Sequence, residues 1–386
     1  MRESILFVSP DYHCSFHYRD ELRRMGWRAD IHVSEGYPEK LLYTEKDVIR
    51  SPIRPVGAAS RTITGIPLKV WFNIVKGFWA IRHVITYKYF FCYGGIDQFP
   101  LLWRNISYKG SRRSFTLSLA KLLGIKIIHL PSGCLQQETK ENFSKLDEGN
   151  VCSNCGWSSE VCNDEKNTAT FNFVRRYADM MVGTGEMDSS QFKMTHFKYK
   201  SLDLNKWKSG LEVPKEHLLP KTSKLRILHS FIDKNRTNKG NNIKGTPFVV
   251  SAIERLEAEG HEVEYMYLHD IPSRDMRFYQ AQADIVVEQL IYGWWGSNGV
   301  ETMALGKPVV CYLRPSWKEC FFKTFPEYKV LPIVEADTQN IYEVLKELVT
   351  DKEYRERKGK ESREFAERHF DIRKNAKEMV CLLEKL

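Results

Sequence analysis

Three groups of residues in this 386-residue chain have types and spacings that could do chemistry. The first centres on Glu301 in the segment GVETMALGKPVVCYL. An ionised carboxylate accepts two hydrogen bonds at once, which suits a pair of vicinal hydroxyls. Taken alone, Glu301 reads equally as a first-turn glutamate favoured by a helix dipole. Gly299 and Val300 precede it at a helix start, where free backbone N–H groups can meet a phosphate. The second group follows the strand LRILHS, in NRTNKGNNIKGT. Arg236 and Lys244, with Lys239 as a rival, place a guanidinium and an ammonium near a helix start. Such a pair can offset the charge of a leaving diphosphate; a solvated basic loop is the alternative. His229, inside that strand, reads either as a ligand contact or as a satisfied core histidine.

The third group is Cys134, Cys152, Cys155 and Cys162. A Cys-x2-Cys pair chelates one ion through a tight turn, and four thiolates complete a tetrahedral structural zinc site. Seven positions to the last cysteine is not a standard spacing. Metal-free buried cysteines and a disulfide stay open as alternatives. Such a zinc would be structural and far from any reacting atom.

Other candidates sit where strands end. Asp11, His13 and Ser15 follow the first apolar run in SPDYHCSFHY. Gly95 and Asp97 lie in GGID, and His129 closes IKIIHL. In QLIYGWWGSNG, Gly293 and Gly296 permit close backbone approach to a ligand, and Trp294 and Trp295 line either a pocket or a core.

The elements that must position these residues alternate between strand and helix. SILFV, FFCY, IKIIHL and ADMMVG read as buried strands. Helical patterns stopped by Gly26 and Gly124 lie between them. After the Lys- and Pro-rich linker DLNKWKSGLEVPKEHLLPKTSK the scheme restarts: LRILHS, a helix ending at Gly260, HEVEYMYLH, ADIVVEQL, a short helix holding Glu301, and KPVVCYL. Such alternation predicts parallel βαβ units. Two successive α/β units predict a cleft, with ligands beyond the carboxyl ends of the strands. The domains are expected at 1–205, with a Cys-rich insertion at about 134–164, and at 206–367, followed by a C-terminal helix at 368–386 that returns to the first domain.

Composition narrows the partners. With 42% hydrophobic and 28% charged residues the chain is globular rather than disordered. Its net charge of +9 suits phosphorylated substrates or an anionic surface. No helix-turn-helix, zinc-finger or RNA-binding signature accompanies it, so nucleic acid is not expected. No apolar run reaches the length of a membrane helix, and the N-terminus reads as a strand, so a cytoplasmic protein is expected. The helix in 65–91 mixes Trp and Phe with Lys and Arg. It suits either peripheral contact with the inner face of an anionic membrane or ordinary core packing with snorkelling cations.

The segment around Glu301 resembles the nucleotide-sugar signature of the retaining GT-B glycosyltransferases of family 4, with Thr302 in place of the usual alanine. The fold this implies is two Rossmann-like domains facing a cleft. Glu301 would bind the ribose of a nucleotide-sugar donor, Arg236 and Lys244 would grip its diphosphate, and His129 would lie near the reacting sugar carbon. The first domain would bind a glycan or lipid-linked acceptor through loops carrying Asp11, His13, Gly95 and Asp97. The resemblance further implies retention, a role in cell-surface polysaccharide biosynthesis, and no cofactor for catalysis. One departure matters: where many members carry a sugar-contacting glutamate, this chain has Gly293, and Glu288 is the acid nearby. A sugar-nucleotide 2-epimerase of the same fold and a catalytically silent nucleotide-sugar-binding protein are the rival readings.

Overall fold

The computed structural model describes every residue except 1–2, 35–36, 45, 53–65, 95, 97–112, 137, 147–149, 157–161, 184–188, 231–236, 239 and 270. The first apolar run folds as β1 (Ser4–Val8), buried at all five positions, as a strand covered on both faces must be. The chain then runs α1 (Cys14–Arg24), β2 (Arg28–Val33), β3 (Val48–Arg50), α2 (Ile66–Val84), β4 (Tyr89–Tyr93), α3 (Phe115–Leu122) and β5 (Lys126–Leu130). The short helices α4 (Lys140–Phe143) and α5 (Asn150–Ser153) carry part of the cysteine-rich excursion. α6 (Asp164–Tyr177), β6 (Met180–Gly183) and β7 (Thr195–His196) complete the first unit. Its seven strands lie in the order β3-β2-β1-β4-β5-β6-β7.

The second unit starts at β8 (Leu225–Ser230). A small hairpin, β9 (Thr237–Asn238) and β10 (Asn241–Asn242), leads to α7 (Thr246–Ala258), β11 (Val263–Leu268), α8 (Met276–Ala281) and β12 (Ile285–Val287). α9 (Ser297–Ala304), β13 (Val309–Cys311), α10 (Pro315–Thr324), β14 (Val334–Glu335) and α11 (Ile341–Thr350) follow. Its sheet is ordered β11-β8-β12-β13-β14. The chain ends in α12 (Lys352–His369) and α13 (Ile372–Leu383).

Every pairing within the two large sheets is parallel. Both strand orders reverse direction once, between β1 and β4 in the first sheet and between β8 and β12 in the second. These are the two topological switch points, where open α/β sheets bind ligands.

Helices cover both faces of each sheet. In the first unit α1 and α13 share one apolar layer with Phe7, Ile31 and Ile128. α2, α3 and α6 close the other face over Leu6, Phe90 and Ile127. α13 packs there through Ile372, Ala376, Met379 and Leu383, although it is last in sequence. The Asp371 carboxylate caps its first turn by accepting from the Arg373 N–H at 2.9 Å. In the second unit α7 and α11 cover one face, and α9, α10 and α12 the other. α1 starts earlier than the pattern DELRRMG suggests. Asp11 accepts from the Ser15 N–H at 3.1 Å, so the turn closes at once and Ser15 and His17 become helical.

Candidate active site

One cavity of about 350 Å³ lies where the two switch points meet, within the size range of small-molecule sites. The first unit lines it with Tyr12 after β1, Tyr93 at the end of β4 and the Leu130–Cys134 turn after β5. The second lines it with Ser230 after β8, Glu288 and Gln289 after β12, and the start of α9. Strand ends therefore set the cavity, as the parallel topology requires.

Glu301 lies on its wall, 7% exposed. Gln280 donates to its Oε2 at 2.8 Å and also donates to the Asn298 side-chain oxygen Oδ1 at 2.6 Å. His13 of the opposite unit brings Nδ1 to 3.4 Å from Glu301 Oε1. Burial, with Glu288 and Asp11 adding like charge, pushes the Glu301 carboxyl up to about 8. Burial, helped by His17 and Arg277, pushes the His13 imidazole well below its usual range. Both groups are thus driven toward their neutral forms, and their contact is a neutral one rather than an ion pair.

Lys244 precedes Gly245, whose φ of +76 turns the chain into α7. The Lys244 ammonium pairs with Glu288 Oε1. Glu288 is 1% exposed, and its Oε2 has no hydrogen-bond partner among the described residues. Gly296 lets this carboxylate come close: a Cβ there would stand 3.1 Å from Glu288 Oε1. Gly296 also precedes α9, whose first residues Ser297 and Asn298 line the cavity. The first N–H groups of a helix have no partner within it and point outward. Trp294 and Trp295 stack at 4.4 Å between centroids and line the same cavity while belonging to the core.

Several residues picked out by sequence are placed elsewhere. His229 is fully buried, with Nδ1 at 2.9 Å from the Val287 carbonyl and Nε2 at 2.9 Å from the Thr246 hydroxyl. It ties β8 to β12 and to the start of α7, and has no ring nitrogen left for a donor. Burial brings it to about 4. His129 turns away from the cavity, onto the sheet face that Ile125 and Ile127 share with α2, α3 and α6. Strand alternation put that side chain on the helix side, so it is not among the residues that line the cavity. Gly293 has φ +97 and a Cβ there would sit 2.8 Å from Arg314 Cβ; the glycine serves the packing of Arg314, not a ligand. Gly299 lies against Trp295, yet its N–H still precedes the first intrahelical bond of α9; Val300 is core, and its N–H is already bonded to the Gly296 carbonyl at 3.3 Å. Asp11 accepts from the Ser15 hydroxyl at 3.1 Å and the Tyr199 hydroxyl at 3.2 Å; it fastens α1 to the linker. Arg236, Gly95 and Asp97 lie outside the described residues.

The four cysteines line one small cavity of about 90 Å³ with Glu138, Phe143 and Tyr292. It adjoins the main one, sharing Cys134, Ile243 and Tyr292 with it, so the excursion lies beside the cleft rather than far from it. Among the described residues no three metal-ligating side chains are arranged to hold an ion.

Sequence reasoning missed Gln280, Asn298, Lys200 and Ser230. Gln280 and Lys200 lie outside every stretch that the sequence singles out, while Ser230 ends LRILHS and Asn298 lies in QLIYGWWGSNG, where the glycines and tryptophans drew the attention. Lys200, on the cavity wall, donates to the Trp295 carbonyl at 3.3 Å and so links the two units.

No family model matches the chain, and no curated protein matches it. Among solved structures, sucrose-phosphate synthase (tll1590) from Thermosynechococcus elongatus aligns over 100% of this chain and 99% of its own, at TM-score 0.59 and 13% identity. Anabaena Alr3699/HepE in complex with UDP and glucose aligns over 100% of both chains, at TM-score 0.54 and 12% identity. The same protein with UDP-glucose aligns over 99% of this chain and 100% of its own, at 0.54 and 13%. At such identities the likeness is one of fold. The chain has the GT-B architecture: two Rossmann-like domains facing a cleft.

The raised Glu301 carboxyl makes a stability prediction. Its folded value lies above the unfolded one, so the native state binds more protons between about 4.5 and 8. Its contribution to stability therefore falls as pH rises through that window. Ligand-free Glu301→Gln should equal or exceed the wild type in melting temperature at pH 8.5, with the gap closing toward pH 5. Parallel melting curves across this range would reject the assignment.

Proposed function

We propose that this chain is a glycosyltransferase that moves a sugar from a nucleotide-sugar donor to a glycan or lipid-linked acceptor, with retention. The observation that carries the reading is convergence. Glu301, the Lys244–Glu288 pair and the start of α9 all reach one cavity at the paired switch points of a GT-B fold.

The residues divide the work by chemistry. The two Glu301 oxygens accept from the two ribose hydroxyls. Those donors favour the ionised carboxylate and so work against its burial. The Lys244 ammonium and the first N–H groups of α9, with Lys200 nearby, stabilise negative charge on the departing diphosphate. Arg236 adds a guanidinium to the same task on the strength of its sequence position. Glu288, with one oxygen unpartnered, supplies a carboxylate to a hydroxyl of the donor sugar and takes the place of the acid that Gly293 does not provide.

The test is incubation of the full chain with a panel of nucleotide-sugars. Slow hydrolysis with nucleotide release is expected for the matching donor. An epimerised sugar nucleotide would support the 2-epimerase instead, and binding without turnover a silent protein. Glu301→Ala should weaken nucleotide binding by roughly tenfold to a hundredfold, corresponding to loss of a charge-assisted hydrogen-bond pair, while the melting curve shows a folded protein. Unchanged affinity would remove Glu301 from the donor site. Lys244→Met should weaken a nucleoside diphosphate more than the bare nucleoside; equal weakening would reject its diphosphate role.

The structural zinc remains a proposal that rests on thiol chemistry and the cavity shared by Cys134, Cys152, Cys155 and Cys162. Metal analysis of protein purified without added zinc should find about one equivalent, and Cys155→Ser should lose metal and thermal stability together. Metal-free protein with freely titrating thiols would retire it.

A further inference from the structure

α2 is apolar on both sides yet covered on only one. Phe72, Ala80 and Val84 turn into the first domain's core. Val70, Trp71, Ile74 and Phe78 turn outward, with Phe78 73% and Trp71 57% exposed. Ile85, one residue past the helix end, is 62% exposed. At 3.6 residues per turn these five positions fall within about 100° of the helix circumference. They form one stripe, not scattered hydrophobes. A helix with apolar residues all round is normally buried; this one leaves an apolar stripe in water.

α3 extends the patch. The two helices pack against the same face of the sheet and feed the neighbouring strands β4 and β5. The connections into those strands therefore lie side by side, at the sheet edge opposite the cleft. Ile85 is on one of them. Leu122, 83% exposed, and Leu123, half exposed, are on the other. Solvent-facing α12 shows the usual contrast, carrying alternating Lys, Arg and Glu.

Charge selects the occupant. Of the 58 Lys and Arg, 13 fall between Val48 and Gln137, against a single acid, Asp97, out of 49. The rest of the chain has three more acids than bases, so this one stretch supplies the whole positive excess. Among its described residues, Arg82 and Arg113 are exposed, Lys88 pairs with Glu3, and Lys121 pairs with Asp179. Phosphate groups would satisfy the cations but leave Trp71, Phe78 and Leu122 in water. An apolar protein partner would cover the stripe but leave Arg82 and Arg113 unanswered. A bilayer with anionic headgroups answers both, since it takes apolar side chains to the acyl boundary and cations at the headgroups. No helix among the described residues is long and apolar enough to cross a membrane, so the contact is a surface one.

We infer that the outer face of α2, continued by the C-terminal end of α3, is a docking surface for an anionic lipid bilayer. The inference stands apart from the donor chemistry, because none of these residues lines the cleft.

The experiment is co-sedimentation of the full chain with vesicles of phosphatidylcholine alone, or of phosphatidylcholine mixed with phosphatidylglycerol. Partition is expected onto the anionic vesicles, weaker on neutral ones, and reduced by salt. Trp71→Ser with Phe78→Ser should lower it by roughly a hundredfold or more, since each large side chain loses an apolar environment worth about one decade. Arg82→Glu should weaken binding to the anionic vesicles alone. Unchanged melting curves and nucleotide affinity would show that the variants fold. Three results would overturn the proposal: no partition, partition indifferent to all three substitutions, or a lipid-free dimer that Phe78→Ser dissociates. Tight binding of duplex RNA that competes with the vesicles would also overturn it, in favour of a nucleic-acid surface.

Discussion

Two carboxylates held out of water in the same cleft set the terms for the rest of this structure. Glu288 raises the cost of ionising Glu301, and a dry site cannot hold both charges without a cation. Lys244 meets Glu288. The direct contacts of Glu301 among the described residues are neutral, the Gln280 amide and an imidazole that burial disfavours protonating. The ligand-free cleft thus holds one compensated charge and one carboxyl poised to ionise when donors arrive. The local backbone serves this arrangement. Gly245 turns Lys244 toward the cavity, and Gly296 clears the space that Glu288 occupies.

The same constraint joins the domains. His13 reaches Glu301 from the first unit, so the cavity wall around Glu301 is completed by a residue of the opposite domain. Behind it, Trp207 of the linker is fully buried and lies 5.0 Å from the rings of both His13 and His17. Tyr199 and Lys200 of the connecting segment line the cavity itself. The segment just before the Lys- and Pro-rich linker is therefore part of the site's wall, with Trp207 packed behind it, and α13 adds a second crossing by packing on α1.

Much of the architecture was legible before any coordinates. Apolar runs ended by polar turns became β1, β4, β5, β8 and β12, and Gly26, Gly124 and Gly260 ended helices where φ had to turn positive. The placement of Glu301 on a short helix at the cleft was also legible, because a glutamate flanked by strand patterns on both sides has few places to go. The helix at α2 could be read from its period, although its bare outer stripe could not. Sequence shows which residues share a helix face but not which face finds cover.

Tertiary structure alone decided where His129, His229 and Gly293 point. A strand's period of two assigns His129 to the face of Ile127, yet whether that face meets the cleft or α2, α3 and α6 depends on how helices pack on the sheet. His229 is taken up by Thr246 and by the Val287 carbonyl, 17 and 58 positions away. Lys244 and Glu288 stand 44 apart in sequence, and Gln280 and Glu301 stand 21 apart. Local spacing determines a side chain's direction from its own element. Its partner is set by which distant strand end or helix the fold brings opposite, and that is a property of packing, not of the residues on either side.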